Sequence, residues 1–76
     1  LTGTDVELFA TLRTWRLEQS RAAKKPAFVI LTDDVLTRLA SVRPLTRSQL
    51  LDIRGIGPTK ADLFGDALLK LIADAP

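Results

Sequence analysis

Two stretches of the chain gather residue types that suit an anionic ligand. In DIRGIGPTKAD, residues 52 to 62, Gly55 and Gly57 bracket Ile56, Pro58 follows, and Arg54, Thr59 and Lys60 flank the turn. Glycine permits positive φ and proline fits the first helical position, so this spacing predicts a tight turn opening a new helix. Backbone N–H groups at such a start, with the Thr59 hydroxyl and the Arg54 and Lys60 charges, suit a phosphate oxygen. The same turn also serves simply to join two packed helices, with Ile56 plugging the core, and Asp52 and Asp62 weaken the field around it. The longer G-x-x-x-x-G-K-[ST] spacing of a nucleoside-triphosphate loop is absent.

The second stretch is RAAKKPAF, in which Arg21, Lys24 and Lys25 lead through Pro26 to Phe28. Cations beside an accessible ring form a platform for a single nucleic-acid strand, the charges following the backbone and the ring stacking on a base. Cations at a helix C-terminus also answer the helix dipole, and Phe28 can equally point into the core. Trp15, the only tryptophan, lies in an apolar stripe and reads as core. Arg13 and Arg16 lie off that stripe's centre and can either pair with acidic neighbours or contact phosphate, with solvated ion pairs the default.

Catalysis finds no constellation. Asp33 and Asp34 are explained by capping, and Asp52, Asp62 and Asp66 sit at helix ends without an acid–base or nucleophile partner. With no cysteine and no histidine, a disulfide, a thiol nucleophile, a histidine base and a zinc site are all excluded. No cofactor and no metal are expected. The chain has 76 residues and a net charge of +2, which permits an anionic partner without demanding one. Its apolar fraction of 46% fits one small globular domain over residues 1–76. No apolar run approaches the roughly 18 residues of a membrane span, so no membrane partner is expected, and the lack of cysteine fits the cytosol. A start at Leu1 without any methionine reads as a fragment of a longer protein.

The elements that must position these residues are helical. Leu8, Phe9, Leu12, Trp15, Gln19 and Ala23 fall on one arc at 100° per residue, predicting a helix from Thr4 to Lys25 capped by Thr4 or Asp5 and stopped by Pro26. AFVIL, residues 27 to 31, has no second strand to pair with and reads as an extended or single-turn connector. Thr32 caps a second helix running to about Val42, which Arg43-Pro44 ends. Thr46 and Gln49 form a capping box opening a short helix with Leu50, Leu51 and Ile53. The last helix starts at Pro58, meets Gly65 as a stop or bend, and resumes through Leu71 and Ile72. The sum is four or five helices and no sheet.

Taken in order, LFATLRTWR, PAFVILTDDVLTRLA, RPLTRSQLLDIRGIGPTKADLFG and LLKLI resemble the HRDC family, the helicase and RNase D C-terminal domain. The resemblance implies an all-α compact bundle of five short helices with a helix-hairpin-helix-like Gly-Ile-Gly turn. It implies a non-catalytic accessory module of a DNA helicase of RecQ or UvrD type, with an RNase D-type parent less favoured. Phe28 matches the family's aromatic position after the proline turn, without a tyrosine's hydroxyl, and GIGPTK matches its G-[VI]-G-x-x-K pattern.

Two readings of function follow. In the first, the domain weakly binds single-stranded or structured DNA in repair and recombination in the bacterial cytosol or nucleoid, through Arg21, Lys24, Lys25, Phe28, Arg54, Gly55, Gly57, Thr59 and Lys60. In the second, it packs on the helicase core or another protein without touching DNA, through an apolar patch poor in cations to which Leu17 belongs. The isolated domain is expected to be a monomer, with the rest of the parent helicase as its partner.

Overall fold

A computed structural model describes residues 3–75, with side chains from Asp5 onward. Helix α1 runs Gly3–Ala23, α2 Ala27–Ile30, α3 Asp33–Val42, α4 Arg47–Leu51 and α5 Pro58–Asp74, with no strand among the described residues. Leu8, Leu12 and Trp15 of α1 are buried as the periodicity predicts, while Phe9 and Gln19 are half-buried and Ala23 is exposed. Because α1 begins at Gly3, Asp5 lies inside its first turn rather than at its cap. The side chain of Thr4 lies outside the described residues.

The end of α1 falls two residues before the expected Lys25. Lys24 turns left-handed, at φ 55°, so its N–H reaches the Arg21 carbonyl (3.3 Å) and the Lys25 N–H reaches the Ser20 carbonyl (3.1 Å). These are the paired bonds that close a helix C-terminus, here with lysine at the position glycine usually takes. AFVIL forms the single turn of α2 followed by an extended Leu31, with Ile30 and Leu31 buried.

Local signals place the next two starts. The Thr32 hydroxyl accepts from the Val35 N–H (3.3 Å), and Arg43, left-handed at φ 52°, closes α3 onto the Leu39 carbonyl (3.0 Å). Thr46 accepts from the Gln49 N–H (3.1 Å), while the Gln49 side chain accepts from the Leu45 N–H (2.8 Å). Ile53, expected on α4, lies beyond it in the turn and is buried there, whereas Leu51 is exposed at the end of α4. Helix α5 passes through Gly65 without stopping. A Cβ at Gly65 would stand 3.3 Å from Leu50 Cδ2, so this glycine allows α4 to approach α5 closely.

Two ion pairs set the direction of α3 against α1. Arg16 meets Asp33 at 2.7 Å and Asp5 meets Arg43 at 3.4 Å. The partners are separated by eleven residues on α1 and ten on α3, about 16 and 15 Å at the helical rise. The helices therefore run antiparallel, with the two pairs matched in spacing along them. Helix α5 is also antiparallel to α1: Phe64 packs edge-on against Trp15 (centroids 5.4 Å, 85°), and Leu71, Asp74 and Ala75 share a groove with Glu7 and Leu8.

Arg16 is more than a surface pair. Only 9% exposed, its guanidinium also donates to the Leu31 carbonyl (3.0 Å), tying α1 to the strap between α2 and α3. This corrects the expectation of a solvated ion pair, since only the Asp33 side of the pair is exposed, at 78%. Arg16→Ala leaves the Leu31 carbonyl without its donor and is expected to cost about 2–3 kcal/mol. Asp33→Ala removes a solvent-screened partner and is expected to cost under about 1 kcal/mol. Urea unfolding of both variants checks this, and equal losses would contradict it.

Candidate nucleic-acid interface

The two cationic stretches meet at one end of the bundle. From the level of Trp15 and Phe64, Arg21 lies six residues further along α1 and Pro58 six residues back along α5. At 1.5 Å per residue both are about 9 Å from that level, in the same direction because the helices are antiparallel. The Gly-Ile-Gly turn joins them there, since Gly55 lies against Val35 in the first turn of α3. One end thus carries the C-terminus of α1 and the N-termini of α3 and α5. Asp5, Glu7, Arg43 and Asp74 lie at the opposite end.

At this end Arg21, Lys24, Lys25 and Arg54 are exposed and Lys60 is half-buried. None of the five is in an ion pair among the described residues. The pairs that form use Arg16, Arg38, Arg43 and Arg47, taking Asp33, Asp34, Asp5 and Asp62. Asp62, read from the sequence as weakening the field of the turn, is thus held by Arg47. Asp52 remains exposed beside it.

Phe28 points out, at 67% exposure. The other three aromatic residues are engaged: Trp15 with Phe64, and Phe9 beneath the Arg13 guanidinium at 6.0 Å. The sequence left the direction of Phe28 open. Its place on the single turn of α2 resolves it, because Ile30 and Leu31 take the inward positions.

Within the turn, Ile53 and Ile56 are buried and anchor it, while Arg54, Gly55, Gly57 and Thr59 are exposed. The Ile56 N–H is used by the Ile53 carbonyl (3.1 Å), and proline has none. No side chain caps the start of α5 at Gly57, so the N–H groups of Thr59 and Lys60 stand at an uncapped helix start. The two glycines differ in role. Gly55 takes φ 101°, and a Cβ there would stand 2.5 Å from Val35 Cγ2. Gly57 is extended, at φ −95°, with nothing within 4 Å of its Cβ position, which corrects the expectation that both glycines permit the turn by positive φ.

Sequence reasoning did not find the groove between α1 and α2, lined by Ala10, Arg13, Thr14, Arg16, Leu17 and Ala27. Its signal is faint: Leu17 stands out in the sequence as an apolar residue on the polar side of α1, but nothing local joins it and Ala10 to Ala27 of α2.

Five helices in this order, with a glycine turn joining α4 to α5, define a small all-α module. The HRDC domain model matches residues 5–72, and the chain belongs to that family. The chain is 35% identical over 68 residues to the ATP-dependent DNA helicase UvrD2 of Mycobacterium tuberculosis, covering 90% of this chain and 10% of that protein. It is 32% identical over 68 residues to the ATP-dependent DNA helicase RecQ of Pasteurella multocida, covering 90% of this chain and 11% of that protein. It therefore spans about a tenth of the length of these relatives. Among solved structures, HRDC domain 3 of D. radiodurans RecQ superposes with a TM-score of 0.86 at 29% identity, covering 90% of each chain.

Gly55→Ala is expected to destabilise the domain by about 2–4 kcal/mol, from a strained φ and the contact with Val35. Gly57→Ala is expected to cost under about 1 kcal/mol. Thermal unfolding compares them, and similar costs would contradict the distinct roles.

Proposed function

We propose that this domain is a non-catalytic accessory module of an ATP-dependent DNA helicase of UvrD or RecQ kind. It binds single-stranded or structured DNA weakly and orients it for the parent enzyme in repair and recombination. The observation that carries the reading is the gathering, at one end of the bundle, of five cations outside any ion pair among the described residues, with the exposed Phe28. Arg21, Lys24, Lys25, Arg54 and Lys60 follow the phosphates, Phe28 stacks on a base, and Gly55, Gly57 and Thr59 let the backbone approach. Of the carboxylates weighed for chemistry, Asp33, Asp34 and Asp62 pair with Arg16, Arg38 and Arg47.

Protein docking is the second reading, and its support lies at the other end of α3. Val42 and Leu45, 60% and 65% exposed, form an apolar corner between α3 and α4. Leu17 does not fit the cation-poor patch that this reading requires, since Arg13 and Arg16 share its groove.

Fluorescence anisotropy with a labelled oligothymidylate separates the readings. Affinity is expected to fall with salt at a log–log slope of about −0.7 per phosphate contacted, and the double variant Lys24→Gly, Lys25→Ala should make that slope shallower by about 1.4. Glycine suits the left-handed backbone at position 24, so this variant should unfold no earlier than the parent. Phe28→Ala should weaken binding by about 1–3 kcal/mol while leaving the slope unchanged. Absence of binding at low salt would overturn the proposal.

A further inference from the structure

We infer that the groove between α1 and α2 is a second subsite for the same strand, holding a base and its phosphate some distance from the cationic end. The inference rests on the nucleic-acid reading above. The groove is open, about 410 Å³, and its lining joins small residues, Ala10, Thr14 and Ala27, to the apolar side of Leu17 and the guanidinium of Arg13. Leu17 is 46% exposed, so an apolar surface stands open beside Arg13.

Continuity with the cationic end is built into α1. Positions 10, 13, 14, 17 and 21 advance along one side of the helix, opposite Leu8, Leu12 and Trp15, and Lys24 follows where the helix closes. None of these positions is acidic. Ala27, at the groove's edge, immediately precedes Phe28. A strand stacked on Phe28 and held by Lys24 would therefore run back along α1 toward Arg13.

From Lys24 to Arg13 is eleven residues, about 16 Å of helix, or about five nucleotides at duplex-like spacing. Arg13 is free to serve it. No carboxylate pairs with it among the described residues; it rests over the Phe9 ring, an attraction that a phosphate or the face of a base can replace. Arg16 forms part of the floor, its position set by Leu31 and its charge answered by Asp33, which leaves Arg13 as the cation that serves the groove.

The test compares oligothymidylates of about four and about twelve nucleotides, lengths below and above the reach from Phe28 to Arg13. Arg13→Gln and Leu17→Ala, both at exposed positions, should leave the short strand's affinity within twofold of the parent domain. Each should weaken the long strand by about five- to tenfold. Long-strand affinity unchanged in both variants, with short-strand binding still dependent on Lys24 and Lys25, would overturn this subsite and leave the cationic end standing. No binding of either strand would overturn both. Equal losses on both strands would overturn the subsite, as would an acidic peptide that shifts the Arg13 and Leu17 amide signals when no strand does.

Discussion

The buried guanidinium of Arg16 holds together the parts on which everything else depends. It leaves α1 at the edge of the core stripe, donates to the extended Leu31 carbonyl and meets Asp33 at the start of α3. A buried charge is costly unless its hydrogen bonds are satisfied, so this contact tolerates few alternative arrangements. It thereby holds the locally capped start of α3 against α1, with α2 as a strap of one turn between them on which Phe28 faces outward. The Asp5–Arg43 pair at the other end completes the antiparallel match, and α5 then lies along α1 through Trp15 and Phe64.

That antiparallel arrangement converts a weak overall charge into a directional one. Ion pairs absorb four arginines, leaving the cations near the C-terminus of α1 and the glycine turn without carboxylate partners among the described residues. Contact with an anionic backbone then needs no displacement of an internal partner. A net charge of +2 would be a poor guide to this, because it averages over cations already committed.

Much of the fold was legible because its signals are local. Thr32, the Thr46–Gln49 box and Pro58 each act within one turn of helix, so residue type alone locates three helix starts. What escaped depends on contacts distant in sequence. Gly65 reads as a stop or bend until Leu50 is seen against it, and Gly57 reads as a second left-handed glycine until its extended backbone is seen. Lys24 carries no signal of its left-handed turn, since lysine there is unusual. The individual cations and Phe28 could be named from sequence, but their meeting at one end follows only from the antiparallel packing. The α1–α2 groove was hidden for the same reason.

The most direct test of the account is a ¹⁵N chemical-shift titration of the domain with a short single strand at low salt. Amides of Arg21 to Phe28 and of Arg54 to Lys60, Pro26 and Pro58 aside, should shift together along one binding curve, as a single surface requires. Shifts confined to the Val42–Leu45 corner, or two segments titrating with different affinities, would contradict it.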